Sequence, residues 1–184
     1  MSNLKKQDLL NLGILTISDR AFDGIYADRS GGVIEEYFKN KLDCEIHINY
    51  KLINDSKDSI ISHLKELSNT CDLVVSTGGT GIAQRDFTSL AMLEVCDKMM
   101  LGFGEAMRES ARSNPLAILS NQSAGVRGKS LLISLPGSPK AVIESLDAII
   151  LALPHAIYLL TNKHISLKDT ELKESNELKN PDSH

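Results

Sequence analysis

Leu73-Val74-Val75-Ser76-Thr77-Gly78-Gly79-Thr80-Gly81-Ile82-Ala83-Gln84-Arg85-Asp86-Phe87-Thr88 passes from an apolar run, through a glycine-rich bend, to the start of a helical pattern at Ser89-Leu90-Ala91-Met92-Leu93. A short apolar run before a turn reads as a buried strand. Three glycines among four residues leave the backbone open to a ligand. Successive amides in such a bend form an anion-binding concavity, and a nearby helix start adds a positive dipole end. Phosphate is the guest this chemistry suits. Arg85 can hold its oxygens by charge-assisted bonds. Asp86 would repel them unless a cation intervenes or it takes part in chemistry. A tight turn that merely needs glycine is the alternative reading. The dinucleotide fingerprint G-x-G-x-x-G fails here, because Gln84 occupies its third position.

Outward from this bend, the same strand-to-helix pattern repeats. Leu12–Ile17 reads as a buried strand ending in Ser18-Asp19-Arg20, with a helix predicted over Val33–Lys39. Ser18, Asp19 and Arg20 suit either ligand contact or a turn and cap. Ile46, Ile48, Tyr50 and Leu52 alternate with polar residues, which predicts a strand with a wetter face near a sheet edge. Asn54-Asp55-Ser56 follows, then Ile60, Ile61, Leu64 and Leu67 at helical spacing. Asp55 stands where a helix cap is common. Helices are expected around Ser89–Cys96 and from Gly102 through Ala111, and a short strand at Ala117–Ser120. Gly128-Lys129-Ser130 imitates the end of a Walker loop, but Ser123 replaces its first glycine and an apolar strand, Leu131–Leu135, follows. Pro136-Gly137-Ser138-Pro139-Lys140 forms a second strand-to-helix turn with Ser138 as cap and Pro139 at the first helical position. A helix then runs to about Leu160, broken or kinked at Pro154.

Alternation of strands and helices predicts a three-layer α/β/α domain over residues 1–162 with a mostly parallel central sheet. Right-handed crossovers put the strands' C-terminal ends on one edge, where such sheets bind ligands. Asp55 and Asp86 then share a crevice as a carboxylate pair. Residues 163–184 read as a charged, flexible tail.

The 184 residues carry a net charge of −4, which argues against non-specific nucleic-acid binding. Cys44, Cys71 and Cys96 are odd in number and lack C-x-x-C spacing, as expected of reduced thiols in the cytoplasm. His47 and His63 have no metal-ligand spacing. No signal peptide is legible, and no apolar run approaches the ~20 residues that cross a membrane.

Thr77–Gly81, Arg85–Thr88, Gly102–Arg108, Ala117–Ser120 and Leu135–Lys140, with Thr16–Arg20, Gly24 and Asp28, resemble the molybdenum-cofactor biosynthesis family of MogA and MoaB, most of all its MogA branch. The likeness covers about Leu12 to Leu160. It implies transfer of AMP from ATP to the terminal phosphate of molybdopterin with Mg²⁺, releasing pyrophosphate. It also implies a homotrimer and delivery of the product to a molybdenum-inserting protein. Asp55 and Asp86 match the family's functional aspartates and are the expected catalytic and metal-binding residues. Ser18, Asp19, Arg20, Thr77, Gly78, Gly79, Thr80, Gly81, Arg85, Ser134, Pro136, Gly137 and Lys140 are the expected substrate-binding residues. Asn54, Ile82 and Leu101 depart from the family by standing where proline is common. A non-catalytic molybdopterin carrier, or another phosphate-ligand enzyme using the same loop, are the alternatives.

Overall fold

In the computed structural model, which describes residues 8–168, six strands form one sheet in the order β2-β1-β3-β6-β5-β4. β1 (Leu10–Ile17), β2 (Ile46–Ile53), β3 (Leu73–Thr77) and β6 (Ser130–Leu135) run parallel. β4 (Lys98–Met99) and β5 (Ser123–Arg127) add an antiparallel edge. β1, β3 and β6 are apolar almost throughout because helices cover both faces of the sheet. β2 lies at the margin, and its alternation reflects the wetter face expected there.

α1 (Asp19–Phe22) and α2 (Ser30–Lys41) follow β1. α3 (Lys57–Ser68) follows β2, and α4 (Thr88–Val95) follows β3. α5 (Leu101–Ser110), α6 (Pro139–Ile149) and α7 (Leu153–Thr161) complete the layers. Ile34, Phe38, Met107, Leu146 and Ile157 join one side of the sheet in a single core. Ile60, Leu64, Leu67, Ala91 and Met92 fill the other. Burial of each such side chain contributes about 1.5–3 kcal/mol. Pro139–Thr161 is long and apolar enough by composition to span a bilayer, but Val142, Leu146, Ile149, Leu153 and Ile157 pack into the core.

Several boundaries differ from expectation. Ala117–Ser120 is no strand: Pro115–Leu119 is a 3₁₀ helix whose first turn is capped by Asn114 Oδ1 accepting from the Leu116 amide at 3.1 Å. Its apolar side chains are there without burial, Ile118 being 77% exposed. Gly128-Lys129 is the two-residue turn of the β5–β6 hairpin. α2 starts earlier, at Ser30. A 3₁₀ turn over Ile150–Ala152 separates α6 from α7, with Pro154 in the first turn of α7.

The tail boundary at residue 163 is also corrected. Ile165 and Leu167 are buried, and Leu167 bridges to Leu42. The Lys168 amide donates to Lys41 O at 2.9 Å, and Lys163 Nζ meets Asp72 Oδ2 at 2.6 Å. The remainder of the predicted tail lies outside the described residues.

Candidate active site

β2 lies on one side of β1 and β3 on the other, so the chain changes direction across the sheet between β1 and β3. A parallel sheet opens a crevice at the C-terminal ends of such a pair. A cleft of about 450 Å³ occupies this place, bounded by Thr16 to Ser18, Tyr26 to Ser30, Thr77-Gly78, Gly137 and Pro139.

The glycine bend forms the cleft's β3 side. Gly78 has φ +100°, and a Cβ there would overlap the Ile17 carbonyl oxygen. Gly79 has φ +62°, and its Cβ would lie 2.5 Å from Thr88 Oγ1. Both positions therefore require glycine. The bend is anchored through its carbonyls. Thr88 Oγ1 donates to Gly78 O at 2.8 Å, the Thr88 amide to Gly79 O at 3.0 Å, and the Asn121 amide to Thr80 O at 2.7 Å. Among the described residues, the amides of Gly79, Thr80, Gly81 and Ile82 donate to no protein acceptor. This leaves a run of main-chain donors of the kind that receives an oxyanion.

Two carboxylates flank the bend. Asp55 Oδ1 lies 3.6 Å from where a Cβ on Gly79 would stand, and Asp86 Oδ2 lies 2.6 Å from the corresponding point on Gly81. Asp55 is not the helix cap that its position suggests. Ser56 takes the cap position of α3, and Asp55 Oδ2 accepts from the Asp19 amide at 3.1 Å while its own amide donates to Asp19 Oδ1 at 2.9 Å. Burial pushes the Asp55 carboxyl above the usual carboxylate range; the Asp19 and Asp86 charges push the same way, against the Asp19 amide and Arg85. Asp86 Oδ2 accepts from the Ala83 amide at 2.9 Å, closing a turn with the Asp86 amide on Ala83 O.

The remaining expected site residues divide. Ser18 lines the cleft, caps α1 by accepting from the Ala21 amide at 3.3 Å, and shares a hydrogen bond with Tyr26 OH at 2.9 Å. Arg20 stacks over the Tyr26 ring at 5.2 Å. Thr77 borders the cleft, but its hydroxyl donates to Pro136 O at 2.7 Å and so ties the two turns together. Thr80 is buried and bonded to Ser120 Oγ at 3.1 Å. Arg85 meets Asp19 at 2.6 Å rather than pointing free at the bend. Gly137 reaches the cleft, whereas Lys140 projects along α6 to Glu144 at 3.6 Å. Ser134 is a correction: it is fully buried within the sheet, its hydroxyl bonded to Ser123, because strand polarity here satisfies a neighbouring strand.

Asp28 is a residue that the site prediction omitted. It lines the cleft and accepts from Thr16 Oγ1 and Tyr50 OH, both at 2.8 Å, and from the Ser30 and Gly31 amides. Its place just before a Gly-Gly helix start was the available signal. Ser30 Oγ in turn donates to Gly137 O at 2.8 Å, joining α2 to the Pro136 turn.

No group of three or more His, Cys, Asp or Glu side chains forms a metal cage among the described residues. Asp55 and Asp86 each have one oxygen bonded to a main-chain amide and an Oδ1 without a donor among those residues. That suits Mg²⁺, which is bound by one or two carboxylates together with substrate phosphates.

Residues 13–155 match the family model described as a probable molybdopterin-binding domain. A molybdopterin adenylyltransferase of Helicobacter pylori J99 is 42% identical over 167 residues, covering 89% of this chain and 95% of that protein. The molybdopterin adenylyltransferase of Escherichia coli K12 is 41% identical over 143 residues, 76% of this chain and 73% of that protein. Among solved structures, the molybdopterin biosynthesis enzyme MoaB of Thermus thermophilus superposes with a TM-score of 0.78 at 39% identity, covering 84% of this chain and 98% of that one.

Proposed function

We propose, since this chain belongs to the family of probable molybdopterin-binding domains, that it is a molybdopterin adenylyltransferase of molybdenum-cofactor biosynthesis. The observation that carries this reading is the pairing of four amides at Gly79–Ile82, without an acceptor among the described residues, with carboxylates on both flanks of the same bend.

In the reaction, a terminal phosphate oxygen of molybdopterin attacks the α-phosphorus of ATP. A phosphorus–oxygen–phosphorus link forms, the bond from the α-phosphorus to the bridging oxygen breaks, and its electron pair leaves with pyrophosphate. The attacking phosphate is already ionised at neutral pH, so no general base is required. The obstacle is the approach of two polyanions, which positioning and charge stabilisation overcome. The Gly79–Ile82 amides hold one phosphate, and the cleft between β1 and β3 seats the attached organic group. Asp55 and Asp86 are the residues that hold Mg²⁺, which, when bound, supplies positive charge at the α-phosphate. Gly137, Ser18 and Arg20 border the bound ligand.

The active form is a homotrimer, for which the exposed Leu90, Leu93 and Leu101 around one surface cleft offer apolar contact area. The enzyme works in the cytoplasm, where Cys44, Cys71 and Cys96 remain thiols, and passes its product to a molybdenum-inserting protein. Light scattering tests the trimer. The activity is tested by incubating the protein with molybdopterin, ATP and Mg²⁺ and detecting adenylylated pterin by mass, with stoichiometric pyrophosphate. Pterin binding without that product would make the protein a carrier instead.

A further inference from the structure

Asp19 has one carboxylate and two engagements. Oδ1 accepts from the Asp55 amide at 2.9 Å, and Oδ2 meets Nη2 of Arg85 at 2.6 Å. Asp19 opens the helix after β1, whereas Arg85 belongs to the loop after β3. Their ion pair therefore ties together the two loops that flank the β1/β3 crevice. Arg85 is the cation carried by the glycine bend's own loop, yet it rests on a carboxylate.

The pair is poised to exchange. The Arg85 side chain is 71% exposed and that of Asp19 30%. Exposed ion pairs are weak, so a polyphosphate with several negative oxygens can outcompete a single carboxylate. Arg85 springs from a turn that Asp86 closes on Ala83, so its backbone is held while its long side chain is exposed to solvent. Asp19 itself repels phosphate and stays bound to the Asp55 amide when Arg85 departs.

Building on the adenylyl-transfer reading, we propose that Asp19 is a positioning residue. It occupies Arg85 with its own carboxylate in the free protein and yields it to the incoming polyphosphate. The arrangement makes Arg85 a ligand recruited by the substrate rather than a permanent part of the cradle. Its cost is a fraction of the binding strength; its effect is to keep the acidic rim neutralised until a polyanion arrives.

The test is binding of ATP and of inorganic pyrophosphate, each titrated calorimetrically with Mg²⁺ present and molybdopterin absent, so that no turnover is read. Wild type is compared with Asp19→Asn, Arg85→Gln and the double variant. Asparagine keeps an oxygen for the Asp55 amide, and a thermal melt verifies the fold. Asp19→Asn is expected to tighten both ligands about 3-fold, and Arg85→Gln to weaken them about 5-fold. The double variant should gain clearly less over Arg85→Gln than Asp19→Asn gains over wild type, because no guanidinium is left to release. Equal tightening on both backgrounds would reduce Asp19 to a negative charge near the site and overturn the proposal, as would weaker binding by Asp19→Asn. In the wild type, the guanidinium NMR signals of Arg85 should move when pyrophosphate is added; stationary signals also overturn it. A wild type that binds neither ATP nor pyrophosphate defeats the nucleotide reading first and the proposal with it. A wild type that binds both, with Asp19→Asn unchanged, defeats the proposal alone.

Discussion

Asp19 and Asp55 hold each other: the amide of each donates to the carboxylate of the other, at 3.1 and 2.9 Å. This reciprocal pair locks the end of β1 to the end of β2 and fixes Asp55 beside the glycine bend. It also keeps two acids closer than their charges favour.

Asp55→Asn should therefore separate stability from activity. Burial raises the native carboxyl's pKa, so the fold favours the protonated form. The associated stability is complete below the unfolded value of about 3.9 and is lost as pH rises through the raised native value. At neutral pH the charged Asp55 is a liability that asparagine removes. The melting temperature should rise at pH 7 and stay unchanged near the acid end. Adenylyl transfer should fall about 10²-fold. A variant that loses stability at pH 7 and keeps its activity would make Asp55 a structural residue.

Asp86→Asn keeps an oxygen for the Ala83 amide, so its turn should stay closed and its melting temperature should change little. Pyrophosphate release should drop about 10²-fold, with the loss in kcat. Full release with unchanged substrate affinity would remove Asp86 from the chemistry.

Gly78→Ala and Gly79→Ala should differ. Both ask alanine to adopt positive φ, which costs about 1–2 kcal/mol. At Gly79 the added methyl meets the Thr88 hydroxyl, a side chain that can yield by giving up its bond to Gly78 O. At Gly78 it meets the main-chain oxygen of Ile17, which cannot. Urea midpoints should place Gly78→Ala as the less stable, and both should bind ATP poorly.

Asp72→Ala probes the opposite edge of the sheet. Asp72 Oδ2 accepts from the Asn11 amide at 2.8 Å, from Asn11 Nδ2 at 3.3 Å and from Lys163 Nζ at 2.6 Å. The Asp72 side chain is only 12% exposed, so its removal strands several donors and should cost about 3 kcal/mol. Denaturant unfolding would register this, while ATP affinity below the transition should match wild type.

Much of the fold was legible because its inner strands are unambiguous. Leu12–Ile17, Leu73–Val75 and Leu131–Leu135 are apolar but for Thr16 and Ser134, and parallel strands covered on both sides need such near-continuous runs. Ser138-Pro139 declared its helix start correctly, with Ser138 Oγ accepting from the Ala141 amide. Ser123–Arg127 escaped notice: it is short, small-residue and mixed in polarity, and its strand character comes from pairing with β6. Ala117–Leu119 misled because an apolar run implies burial only if something covers it. Within the candidate site, residues local to one loop were readable. Asp28 was passed over, and the Asp19–Arg85 and Thr77–Pro136 links join segments far apart in the chain, which periodicity cannot foresee. Ser134 shows the converse, a polar residue whose partner proved to be a neighbouring strand.

Asp8 and His164 clasp across the beginning and end of the described chain, the Asp8 amide on His164 O at 3.0 Å and the His164 amide on Asp8 Oδ2 at 2.7 Å. They lie by the start of β1, whereas the glycine bend lies beyond its finish, a strand length of about 25 Å away. Asp8 and His164 thus stand side by side at the end of the sheet turned away from the chemistry. A covalent cross-link between these two positions would leave the mouth of the crevice unobstructed.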